Sequence, residues 1–84
     1  MLIKFSSNAW GDYLYWQTTD RTILKRINQL IKDIERDPFA GIGKPEPLKH
    51  QLSGFCSRRI DLQHRLVYSF HDETLYIAQC RDHY

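Results

Sequence analysis

Cysteine is scarce in this chain of 84 residues: Cys56 and Cys80 are the whole complement. They form neither a CxxC pair nor a metal-ligand series. A small secreted protein would normally carry more cysteines as disulfide staples, so both read as reduced, small apolar residues. Long apolar runs are missing too. The opening stretch "MLIKFSSNAW" is too short in its apolar part for a signal peptide or a membrane span, and the expected location is the cytoplasm. The four histidines (His50, His64, His71 and His83) are scattered, so neither a metal cluster nor another cofactor is expected. The Gly41-Ile42-Gly43 stretch has no strand leading into it, which excludes the nucleotide-binding reading of a glycine-rich loop. No internal repeat and no low-complexity segment is visible.

What is present describes an ordinary globular protein of one domain, residues 1–84, with 42% hydrophobic and 26% charged residues. Five tyrosines and two tryptophans help to fill a small core. "LIKF" (Leu2 to Phe5) reads as a short strand, and Ser6 to Asn8 supply side chains able to accept the free amides of a helix start. Ala9, Trp10, Tyr13, Leu14 and Trp16 then recur at roughly helical spacing. Asp20 caps a second helix, whose stripe of Ile23, Leu24, Ile27, Leu30, Ile31 and Ile34 is the clearest periodic signal in the chain. Pro38 ends that helix near Asp37. The segment "FAGIGKPEPLKH" reads as a loop, flexible at Gly41 and Gly43 and stiff around Pro45 and Pro47.

Three β-like runs follow: Phe55 to Ile60, His64 to Phe70 and Leu75 to Tyr84, separated by short polar turns. The fold expected is α+β, a helical hairpin covering one face of an antiparallel sheet. A first turn closing Ile60 onto His64 sets Arg59 opposite Arg65. A second turn closing Phe70 onto Leu75 sets Arg65 opposite Cys80 and Val67 opposite Ala78. Alternation then sends Ile60, Leu66, Tyr68, Phe70, Leu75 and Ile77 toward the helices. Ser57, Arg59, Arg65, Val67, Ser69, Tyr76, Ala78 and Tyr84 go to the other face. In this register His83 and Tyr84 fall on different faces, and a bulge near Asp82 is needed to unite them.

Net charge is only +2, yet Lys44, Lys49, Arg58, Arg59 and Arg65 face only Glu46 and Asp61 between positions 44 and 65. Such a local excess with interleaved aromatics is the footprint of a phosphate-bearing partner; a merely solvated charged face is the plainer explanation. Two arginines directly opposite one another repel, which suits an anion gripped between their guanidinium forks. The structural alternative is neutralisation by Glu46, Asp61 or a terminal carboxylate. Cleaving an RNA phosphodiester through the ribose 2′-hydroxyl needs a base, charge stabilisation at phosphorus and an acid for the leaving oxygen. Glu46 between its prolines suits the base, Arg59 and Arg65 the stabilisers, and His83, titrating near neutrality, the acid. Tyr84 is placed to orient phosphate or base, and Lys44 and Lys49 to add phosphate contacts. His50, His64 and His71 read as surface or turn residues. A carboxylate at Tyr84 would favour the imidazolium of its neighbour His83.

"AWGDYLYW", "RINQLIKD", "GKPEPLKHQLSGF", "SRRI", "HRLVY" and the closing "CRDHY" together resemble the YoeB toxins of the RelE superfamily, ribosome-dependent mRNA interferases of toxin–antitoxin operons. The resemblance runs over essentially the whole length. It implies a compact RelE-like α+β domain that enters the ribosomal A site, cuts mRNA there, and is silenced by a YefM-type antitoxin. It also implies Glu46 as general base, His83 as general acid, Arg59 and Arg65 as transition-state stabilisers, Tyr84 as orienting group and Lys49 as a further contact. Homodimers occur in the group. Two other classes stay open at this level: a non-catalytic module gripping RNA or an acidic partner through the basic face, and a small ribonuclease that needs no ribosome.

Overall fold

The computed structural model of the chain describes residues 1–82. The order of elements is β1 (Leu2–Phe5), α1 (Ser7–Thr19), α2 (Arg21–Arg36), β2 (Glu46–Pro47), a 3-10 turn (His50–Leu52), β3 (Cys56–Arg59), β4 (Arg65–His71) and β5 (Thr74–Gln79). Both helix starts follow from their caps. The Ser6 hydroxyl accepts the Ala9 amide at 3.0 Å, and Asp20 Oδ1 accepts the amides of Thr22 and Ile23 at 3.0 and 3.2 Å. The second helix stops at Asp37, immediately before Pro38.

The strands form one five-stranded sheet in the order β1-β5-β4-β3-β2. The expected meander is there, and the α+β hairpin-on-sheet architecture with it. The sheet as a whole is mixed, however, because β1 enters parallel to β5 as an edge strand. Parallel neighbours need a long crossover, and here almost the whole chain lies between the two strands. Glu46–Pro47 is a strand rather than loop. Glu46 pairs with Ser57, and Pro47, which has no amide to donate, sits where an edge strand tolerates it.

Both helices pack on the face that alternation selects. Ala9, Trp16, Ile27, Leu30 and Ile34 meet Ile60, Leu66, Tyr68, Leu75, Ile77 and Cys80 in one cluster, with Ile23, Leu24, Ile31 and Phe70 half-buried around it. Both cysteines are free, and burial pushes the Cys80 thiol up to about 12, well away from the reactive thiolate.

The last strand departs most from expectation. It ends at Gln79, not at Tyr84. Tyr68 pairs with Ile77 but Val67 pairs with Gln79, so a bulge at Ala78 replaces the expected Val67–Ala78 pair. Beyond it, side chains of α1 take the backbone groups that a ladder would have used. Asp12 accepts the Cys80 amide at 3.0 Å, the Trp16 indole donates to the Cys80 carbonyl at 2.9 Å, and the Ser6 hydroxyl donates to the Ala78 carbonyl at 2.8 Å. With these groups satisfied, the segment leaves the sheet and drops onto the first helix.

Candidate active site

The face of the sheet turned away from the helices carries the expected cations. Arg59 lies directly opposite Arg65, as the turn geometry demands, with Arg59 exposed and Arg65 half-buried. Two rungs away, Glu46, Ser57 and Val67 form a row across β2, β3 and β4. Strand spacing puts the Cα of Glu46 roughly 8 Å from that of Arg59 and roughly 12 Å from that of Arg65. Three long charged side chains on one face can therefore converge on a group the size of a phosphodiester.

Neutralisation of the arginine pair by Asp61 is not what the structure shows. Asp61 Oδ1 accepts the amides of Gln63 and His64 at 2.8 and 2.7 Å, holding the β3–β4 turn. Among the described residues, no ion pair involves Arg59 or Arg65. Arg26 adds a third guanidinium nearby, donating to the Arg59 carbonyl at 3.4 Å.

Arg58 does not belong to this basic face. It is fully buried on the helix side, so the cationic count over positions 44–65 falls by one. Its Nη1 donates to Asp33 at 2.6 Å and to the Ile42 carbonyl at 3.2 Å. Its Nη2 reaches the carbonyls of Asp37 and Ala40 at 2.7 and 3.3 Å, and its Nε reaches the Tyr68 hydroxyl at 3.2 Å. That hydroxyl donates in turn to the Pro38 carbonyl at 2.7 Å. One side chain thus gathers the loop after α2, and the loop leads directly into Lys44 and Glu46. Gly43 fastens its end. The Arg59 amide donates to the Gly43 carbonyl at 2.7 Å, and a Cβ at this position (φ 80°) would sit 2.8 Å from the Leu30 side chain. Alternation already contains the signal for Arg58, since a strand with Ser57 and Arg59 outward must turn residue 58 inward.

Asp33 completes the cluster by accepting from Arg36 at 3.0 Å and from the Ile42 amide at 2.9 Å. The Arg36 hydrogen bond above all, then the Ile42 amide and Arg58, hold its carboxyl well below the usual carboxylate range. A depressed carboxyl stabilises the fold fully once the unfolded chain is also ionised, above the ordinary value of 3.8, and the contribution is lost as pH falls below it. Urea unfolding from pH 7 to pH 2 is therefore expected to show a loss of stability below about pH 4 that Asp33→Asn makes shallower. An unchanged slope in the variant would remove Asp33 from the account.

Lys44 and Lys49 are exposed, on either side of β2, Lys44 with a left-handed backbone (φ 51°). Among the histidines, His50 and His71 are exposed as expected, but His64 is buried against Trp16, their rings crossing edge to face at 4.8 Å. The Asp82 amide donates to its Nδ1 at 2.7 Å, and the Arg65 amide donates to the Asp82 carbonyl at 2.8 Å. The described chain therefore ends tied to the start of β4, at Arg65. His83 and Tyr84 lie outside the described residues.

The geometry and the sequence patterns coincide with those of known proteins. The family described as "YoeB-like toxin of bacterial type II toxin-antitoxin system" matches residues 5–84. Toxin YoeB of Escherichia coli (strain K12) is 62% identical over 84 residues, covering all of both chains. The solved YoeB/ParE toxin from Agrobacterium tumefaciens superposes with a TM-score of 0.98 at 45% identity, again over all of both chains. YoeB of Staphylococcus aureus, solved in complex with YefM and as a dimer, gives TM-scores of 0.93 and 0.94 at 48% identity. These two cover all of this chain and 99% and 98% of the S. aureus chains. On fold, length and sequence together, the chain belongs to the YoeB-like toxins of bacterial type II toxin–antitoxin systems.

Proposed function

We propose that this toxin is an endoribonuclease that enters the ribosomal A site in the cytoplasm and cuts the mRNA there, stopping translation. The observation that carries the reading is the pair Arg59–Arg65, set directly opposite, with Glu46 on the same face of the sheet. A structural protein gains nothing from two facing cations, whereas a phosphate bridging them turns their repulsion into bidentate binding.

Glu46 takes the proton of the ribose 2′-hydroxyl, and the freed oxygen attacks the adjacent phosphorus. Arg59 and Arg65 stabilise the extra negative charge on the pentavalent phosphorus. As the bond to the 5′-oxygen breaks, His83 donates its proton to the departing oxygen. The products are a 2′,3′-cyclic phosphate and a 5′-hydroxyl, with protons and charge balanced by the two side chains. Tyr84 orients the phosphate or the neighbouring base, and Lys44 and Lys49 contact flanking phosphates. This route calls for no metal ion or other cofactor.

A YefM-type antitoxin is the regulatory partner, by likeness to the S. aureus toxin solved with YefM, and covering the open sheet face would silence the enzyme. Self-association is a further expected state, since the same relative was solved as a dimer.

The deciding experiment incubates the protein with naked mRNA and with translating ribosomes and maps the cuts. Cuts spaced by codons, and found only with ribosomes, are the expected result. Equal cutting of naked RNA would make the protein a free ribonuclease. Retained RNA binding without cuts in either sample would make it a binding module.

A further inference from the structure

Asp82 is held from both sides by consecutive residues at the start of β4, and one of the two holds it with a side chain. Its carbonyl accepts the Arg65 amide at 2.8 Å, a backbone bond made beyond the end of β5. Its own amide finds no carbonyl and donates to His64 Nδ1 at 2.7 Å. The imidazole thus substitutes for a backbone acceptor at the point where the β4–β5 ladder has ended.

Nothing about packing alone asks for histidine at position 64. The ring is 7% exposed and lies edge to face against Trp16, a place that phenylalanine would fill. What phenylalanine lacks is the acceptor. A ring nitrogen accepts only while it carries no proton, so Nδ1 must be bare and a neutral ring holds its proton on Nε2. Asp82 itself is left-handed (φ 60°), a conformation that aspartate tolerates better than most non-glycine residues. Asp12 and Trp16 from α1 fix Cys80, two residues earlier, and Arg81 between them stacks over Tyr15 with its guanidinium carbon 3.7 Å from the ring centre. Four side chains and one strand amide therefore determine where the chain stands as it leads into His83.

We infer that His64 is a positioning residue of the ribonuclease site: through the Asp82 amide it fixes the described end of the chain beside Arg65, one residue before the proposed acid His83. This rests on the proposed role of His83 as general acid. A proton donor misplaced by about 1 Å can lose on the order of 10²-fold in rate without loss of the substrate complex.

The test compares cleavage on translating ribosomes by the parent protein, His64→Phe, His64→Asn, His83→Gln and the double variant His64→Phe/His83→Gln. His64→Phe is expected to lower kcat at least tenfold while KM for the ribosome complex stays within about twofold. His64→Asn, whose Oδ1 can accept the same amide, is expected to recover most of that loss. The double variant is expected to be no slower than His83→Gln alone, because His64 acts through the terminal residues. A His64→Phe protein cutting at the parental rate, or a double variant whose losses multiply, overturns the inference. A His83→Gln protein cutting at the parental rate overturns the underlying reading instead. Nitrogen NMR of the unaltered protein covers the case in which His64→Phe does not fold. Nδ1 should be unprotonated and scalar-coupled to the Asp82 amide, and a protonated Nδ1 at neutral pH would end the proposal.

Discussion

Arg58→Met is expected to cost about 3–5 kcal/mol of folding stability, as breaking a buried charge pair by removing one partner does. A chain of 84 residues has about 4–13 kcal/mol in total, so the variant retains a small margin or none. The expectation follows from what the guanidinium leaves behind. Asp33, the Tyr68 hydroxyl and the carbonyls of Asp37, Ala40 and Ile42 would all lose a donor at once. Methionine fills much of the volume and satisfies none of them. Arg58→Lys should fall between, because one ammonium cannot reach acceptors on both sides of the fork. Urea unfolding at pH 7 measures both variants; a loss below 1 kcal/mol for Arg58→Met would mean that water or Arg36 takes over its partners. Limited proteolysis adds a local readout. The segment from Pro38 to Pro45, gathered by this side chain, should be cut first in Arg58→Lys.

Glu46→Gln and His83→Gln are each expected to slow mRNA cleavage by about 10²–10⁴-fold, the usual worth of a general base or acid. Glutamine keeps the shape of glutamate but cannot take the 2′-hydroxyl proton, and at position 83 it cannot deliver one. Ribosome binding should be nearly unchanged in both, since the cations proposed to contact phosphate stay in place. Single-turnover cleavage on programmed ribosomes, with binding measured separately, divides the two effects. Full cleavage by both variants would dismiss this acid–base pair, whatever the fate of the arginines.

Much of this was legible in the residues. The stripe from Ile23 to Ile34 gave the second helix and its buried side, with Ile27, Leu30 and Ile34 at the centre of the core. The turn residues after Ile60 and Phe70 set the register that brings Arg59 opposite Arg65 and Phe70 opposite Leu75. Other features left no such trace. The strand pairing of Glu46 has no signature in the sequence, because a two-residue strand has no period to detect. Arg58 stands next to Arg59 in a cationic stretch, yet alternation turns it inward. The bulge at Ala78 moves the last strand off its expected course, and His64, which adjoins a turn, is buried.

The difference between the two groups is one of range. Periodicity and turn chemistry act over a few residues, so the sequence by itself determined the helices, the meander, the buried faces and the facing arginines. The contacts of side chain with backbone act across 18 residues between His64 and Asp82, 21 between Asp37 and Arg58, and 68 between Asp12 and Cys80. A carboxylate or an imidazole can take a backbone amide only when folding has brought the two together and excluded water from the rest. That apposition belongs to the tertiary structure, and it alone decided how the loop leading into Glu46 is held and where the described chain ends at Asp82.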